Sequence, residues 1–545
     1  MLTYDELTPT ERELWDAFPA GRWVDLRTGS SAEDDPAGGD GWGTDRSVRA
    51  TVVTGLLLKG NDRSTHAVAA LRLAGARITG RIDLEGAEVL SPLCLDGCWL
   101  EEQVRLAGAS TRMIRMTGTR VPGIDARSAR IDGQFNLRRA LVENGRITVV
   151  NARITGEFDL CGASLRPPEH SEALNASDAI VEGALLCRDG FVAHGQTVLL
   201  GAELRTGILM EGARLESPDG SASVLADRAT FGCLLATEAI AQGTVRLRGV
   251  QVGDLMTFEG ATLADPELAL DCTRLQAGDL DVRFGALPSG ALDLRDARVG
   301  VLHDTEFSWP QEIRLDGFTY NAIDTTDGAV WDTVGGRIAW IRRSRGYAPQ
   351  PYEQLAGWYR QVGHEADAHR VLLAKQRHRR RTVHPTARAW GYLLDATVGY
   401  GCRPWLAGMW LVALTAIGST VFSANSPAAT KPGEGQPFNP VAYTLDLLIP
   451  IGGLGQREAW HWTTPGTQWL AYVLIAAGWM LTTAVVAGMT RTLNKISRRT
   501  RDSARRPPDR RRREGRRRAQ VRRTSALGFM GVPQTARPSL KSAHG

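Results

Sequence analysis

No two cysteines in this 545-residue chain are spaced as C-x-x-C. The seven present, Cys94, Cys98, Cys161, Cys187, Cys233, Cys272 and Cys402, form no even framework, so neither a disulfide scaffold nor a zinc site is indicated. That usage fits a reducing compartment. There is no G-x-G-x-x-G after a strand, no Walker A motif and no nucleophile elbow. The sequence therefore nominates no catalytic residue, no metal ligand and no nicotinamide, flavin or haem site. An apolar core is also missing from the N-terminal segment MLTYDELTPTERELW, so no secretory signal is expected there.

What is present is a strong charge asymmetry. Residues 1–341 hold 33 Lys/Arg and 50 Asp/Glu, a balance of −17, although the whole chain is +5. Basic residues gather in 342–388 and again in 491–523.

A repeat begins by residue 71. LRLAGARITGRIDLEGAEV (71–89) holds the pattern Leu-x-Leu-x-Gly-Ala-x-apolar twice, with its key position at Leu73, Leu84, Leu95 and Leu106. Three or four alternating residues followed by Gly or Ala describe very short strands. Such strands bury their apolar face only by stacking copies, which predicts a pentapeptide-like β-solenoid. Two units would make one coil, and roughly eleven coils at about 4.8 Å each would form a rod about 50 Å long. The expected fold is thus mainly β: a helix and cap over 1–47, the solenoid over 48–341, and a basic helical hairpin over 342–388. A membrane domain over 389–490 and a disordered basic tail over 491–545 complete it. Thr8, Pro9 and Glu11 predict a capped first helix, and Trp309, Trp331 and Trp340 are candidates to cover the last coil.

Two segments lack charge: residues 405–422 and 468–489. Each is long enough to cross a bilayer core of about 30 Å, which predicts two transmembrane helices. Basic runs before the first and after the second place both termini in the cytoplasm of a multi-pass plasma-membrane protein. Arg379, Arg380, Arg381, Arg498 and Arg499 would then contact anionic lipid, in preference to any specific nucleic acid. Between the spans, residues 443–458 read as a re-entrant or interfacial segment. Ile451, Gly452, Gly453, Leu454 and Gly455 are its candidate pore residues, although the Thr and Tyr of a potassium filter are missing.

Other groupings read as structural. In HEADAH (364–369) the histidines are five apart, and a zinc-protease helix needs four. Asp83, Asp159, Asp281 and Asp293 alternate with apolar residues and should point outward, as a solubilising face.

LTPTERELWDAFPAGRWVDLR (7–27), the GAxIxGxxDL repeats, PYEQLAGWYRQVGHEADAHRVLLAKQRHRRR (351–381) and the two uncharged segments carry a resemblance. Together they resemble a group of actinobacterial membrane proteins often catalogued as "membrane-associated oxidoreductase". The resemblance implies membrane location, a pentapeptide-like solenoid and, as a label alone, redox activity without an assignable catalytic residue or cofactor. The residues themselves point to a membrane-tethered scaffold. Its acidic solenoid would meet a cytosolic protein or another copy of itself. A two-helix channel or sensor subunit is the second reading.

Overall fold

One turn, repeated, builds the molecule. At Leu84-Glu85-Gly86-Ala87 the Ala87 N–H donates to the Leu84 carbonyl (3.1 Å), and Gly86 adopts φ +65°. The closure recurs at Ala109 to Leu106, Ala140 to Leu137, Ala163 to Leu160 and Ala297 to Leu294. A positive φ suits glycine because it has no Cβ. Even so, Ser128, Arg139, Asn151, Asp178, Arg228, Arg274 and Asp296 hold the same conformation in other copies.

The computed structural model describes residues 3–59, 68–168, 171–217, 220–324, 333–382, 404–425, 427–430, 437–449, 453–462 and 464–482. Two compact units emerge, residues 1–383 and 384–545.

In the first unit a coil of the upstream half has four short sides, for example Ile124–Asp125, Arg130–Ile131, Phe135–Asn136 and Leu141–Glu143. Each side pairs in parallel with the equivalent side one coil on: Ile124 with Ile147, Arg130 with Arg153, Phe135 with Phe158, Leu141 with Ser164. The result is one 20-stranded and two 10-stranded parallel sheets wrapped around a single core. The expected solenoid of about eleven turns is therefore present. Inward residues stack in columns, one of them Leu71, Leu93, Ile114, Phe135, Phe158, Leu185, Ile208 and Leu234. The rings of Phe135 and Phe158 lie 5.0 Å apart and nearly parallel, which is the rise of one coil.

Both rod ends would expose strand edges, and both are covered. At the start, α1 (Pro9–Ala17) is closed by the reciprocal Thr8–Glu11 capping box. The buried Glu11 carboxylate also receives the Arg49 backbone and guanidinium N–H groups. Val24–Asp25 adds a strand beside Leu73–Ala74, and α2 (Ala50–Lys59) buries Val52, Val53, Leu56 and Leu57.

At the other end, α3 (Val334–Arg342) is fixed by a fully buried ion pair. Arg337 meets Asp304 at 2.6 and 3.0 Å, and the Trp309 indole N–H donates to the same carboxylate. Trp309 and Trp340 pack at 5.1 Å; Trp331 lies outside the described residues. Helices α4 (Gln350–Gln361) and α5 (Glu365–Thr382) form the expected hairpin. It turns at Gly363 (φ +89°) and buries Tyr352, Leu355 and Tyr359 on one helix, Ala368 and Val371 on the other.

The second unit overturns the expected membrane domain. Among the described residues, no helix is long and apolar enough to cross a membrane. The first candidate span falls on α6 (Pro404–Ser423). The second begins within a helix over 465–482, and its residues 483–489 lie outside the described residues. The helix over 465–482 opens on Pro465, Gly466, Thr467 and Gln468, which leaves its described length short of an apolar span, and the side chains of α6 are described only over 408–423. The two transmembrane helices and the multi-pass plasma-membrane placement are accordingly not supported.

The intervening segment folds as α7 (Pro440–Leu448) and α8 (Gln456–Ala459). Buried Asp446 joins them by accepting the Leu454 and Arg457 backbone N–H groups at 2.7 and 2.8 Å. Phe422 stacks on Trp462 at 4.9 Å beside Tyr443.

Candidate functional site

The residues singled out from sequence do not converge. Gly453, Leu454 and Gly455 belong to the loop that Asp446 holds; Ile451 and Gly452 lie outside the described residues. Arg379 is exposed near the end of α5, which also contains Arg380 and Arg381. Arg498 and Arg499 lie outside the described residues. In HEADAH, His364 pairs with Asp367 at 3.3 Å and His369 with Glu365 at 3.6 Å. No group of three or more His, Cys, Asp or Glu among the described residues could hold a metal ion. Burial pushes the Cys98 thiol up to about 12 and raises those of Cys94, Cys161, Cys187, Cys233 and Cys272. These thiols stay protonated near neutral pH and are weak nucleophiles.

The four outward aspartates need one correction. Asp83 is exposed, but Asp159, Asp281 and Asp293 are buried, so they do not form a solubilising face. The cause is local. Asp281 accepts the Arg283 backbone N–H, two residues on, while the Arg283 guanidinium folds back onto the same carboxylate at 2.9 and 2.6 Å. Asp293 and Arg295 repeat this arrangement, as do the more exposed Asp25 with Arg27 and Asp125 with Arg127. Burial alone would raise the Asp281 and Asp293 carboxyls, but the arginine hydrogen bonds override it and hold both below the usual range. D-x-R before the turn is thus a corner brace.

The feature that does converge is a groove of about 960 Å³ over residues 203–321. Strand register builds it. Glu203 pairs with Thr230, Thr230 with Gln251, Gln251 with Gln276, Gln276 with Arg298 and Arg298 with Thr319. These outward side chains make one row along the rod. Two residues further along each strand stand Gly232, Gly253, Gly278 and Gly300, with Asn321 at the end, and Gly232, Gly253, Gly300 and Asn321 line the floor. Between row and floor, Leu204, Phe231, Val252 and Val299 turn into the core. No side-chain hydrogen bond or ion pair ties Thr230, Gln251, Gln276, Arg298, Thr319 or Asn321 to another described residue. The row is therefore available to an outside partner.

Beyond the floor, the same strands carry His303 between two carboxylates. Its Nδ1 is 2.9 Å from Asp324 and its Nε2 is 3.7 Å from Asp279. Sequence reading missed the groove, yet its signal is there: Thr230-Phe231-Gly232, Gln251-Val252-Gly253, Gln276-Ala277-Gly278 and Arg298-Val299-Gly300 share one pattern. Only the coil register shows that these triplets lie side by side.

No family model, no curated protein and no solved structure matches the chain.

Proposed function

We propose that this chain is an interaction scaffold, a rigid β-solenoid rod that engages a partner through the groove over residues 203–321. The observation that carries the reading is the row from Thr230 to Thr319. It is polar, in register across successive coils and without partners of its own. Stacked coils fix the backbone of each row residue through neighbouring ladders, so a partner meets a row of preset spacing. That lowers the entropic cost of binding. The acidic balance of residues 1–341 adds a field that favours basic or neutral partners over polyanions.

In-cell crosslinking of the tagged full-length chain, followed by mass spectrometry of what is captured, tests this. Recurrent crosslinks from residues 203–321 to one partner are expected. Crosslinks confined to other parts of the chain would overturn the assignment.

A further inference from the structure

We propose that the groove over residues 203–321 is a binding site for a neutral oligosaccharide laid along the rod axis, which names the ligand class for the surface above and rests on that reading. The wall chemistry comes first. Thr230, Gln251, Gln276, Arg298 and Thr319 offer hydroxyl, carboxamide and guanidinium groups, so the row both donates and accepts. Its members recur at about 4.8 Å, the spacing of stacked strands. A ligand that matches such a row is extended, repeats its polar groups at a similar interval and carries hydroxyls that donate and accept in turn. A linear sugar chain has all three properties. At Gly253, where a Cβ would meet nothing nearer than 3.4 Å, a ring can approach the backbone closely and a side chain would lift it away.

Two other classes of extended ligand fit poorly. A peptide that binds as an added strand needs free backbone groups. Here the backbone is committed to the coils: Gln251 donates to Ala229, Gln276 to Val250, Arg298 to Leu275 and Thr319 to Ala297. A peptide that binds through anchoring side chains needs apolar pockets, and the groove's apolar residues face the core. A nucleic acid needs an array of basic contacts. The groove has Arg298 and Arg205, and Glu182 already holds Arg205 at 2.5 Å. The surrounding region carries a balance of −17.

Calorimetric titration of the full-length chain with cellohexaose, chitohexaose and mannohexaose tests the proposal. Saturable binding of at least one is expected. Gly253→Leu should weaken that binding at least tenfold without changing the melting temperature. A Cβ at 253 meets nothing nearer than the Gly232 carbonyl at 3.4 Å, so the new side chain fills the groove and leaves the fold alone. Gln276→Ala should weaken it about tenfold, through loss of a two-ended hydrogen-bonding group. Failure of all three sugars to saturate overturns the proposal, as does a Gly253→Leu chain that binds like the parent. If the sugars fail while in-cell crosslinks still map to 203–321, the ligand class is wrong and the interaction surface stands. If the crosslinks also avoid the groove, both readings fall.

Discussion

The two halves of the rod treat one position of the repeat in opposite ways. Upstream, the outward position two residues after the polar row is filled by Arg112, Asp132, Thr155, Glu182 and Arg205. These residues satisfy one another: Arg112 meets Asp132 at 3.0 Å, Thr155 donates to Asp132, and Glu182 takes both Arg153 and Arg205. Downstream, the same position is Gly232, Gly253, Gly278 and Gly300. The upstream half closes its own surface with charge, and the downstream half leaves a trough. The strands differ in step. Upstream, Asp132-Gly133-Gln134 separates two short sides, whereas Gln276–Asp281, Arg298–His303 and Thr319–Asp324 run without a break. One repeat can therefore carry a closed surface and an open one, and the choice lies in side chains that never enter the core.

The largest way to break this contrast is to unseat the end of the downstream half. Asp304→Ala removes the carboxylate that meets Arg337 in a fully buried site. Loss of one partner of such a pair costs roughly 3–5 kcal/mol, read as a lower melting temperature of the full-length chain. Next comes the floor itself. A Cβ at Gly300 would run into the Gly278 carbonyl, a backbone atom that cannot swing aside. Gly300→Ala should cost roughly 2 kcal/mol by overpacking, while Gly253→Leu is neutral to stability. Denaturant midpoints of the two variants separate the cases.

Acid should also act unequally on the two halves. Asp281 and Asp293 are held below the usual carboxylate range when folded, so their contribution is complete above about pH 4, the unfolded value. It is lost as pH falls through their folded values. Upstream, Asp125 is held low by Arg127 in the same way but is more exposed than Asp281 and Asp293, so it contributes less. Amide exchange should open the downstream coils first on acidification, and the double variant Asp281→Asn with Asp293→Asn should flatten that dependence. A smaller effect sharpens the turn argument. Arg274 holds φ +61° where other copies have glycine, so Arg274→Gly should raise stability by about 1 kcal/mol. The smallest is Arg112→Ala, whose exposed pair should be worth under about 0.5 kcal/mol.

Much of the fold was legible in the sequence because a solenoid writes its core periodically. Leu73, Leu84, Leu95 and Leu106 announce the inward face, and Gly-Ala announces the turn. The capping box at Thr8 and the hairpin break at Gly363 were equally local signals. The membrane assignment rested on lack of charge alone: the 465–482 helix opens on Pro, Gly, Thr and Gln, and no helix among the described residues is long and apolar enough to cross a membrane. The buried Asp281 and Asp293 misled because alternation gives a direction and says nothing of what an arginine two residues on will cover. The groove went unseen because Gln251, Gln276 and Arg298 become neighbours only through coils of unequal length, 25 residues from Gln251 to Gln276 and 22 from Gln276 to Arg298.

The central claim is that the downstream half is the binding half. It is tested most directly by placing a photo-crosslinking residue at Gln276 in one full-length chain and at Arg112 in another, and comparing what each captures in cells. The account predicts recurrent capture of one partner from position 276 and background from position 112. Equal capture from both, or capture from position 112 alone, would contradict it.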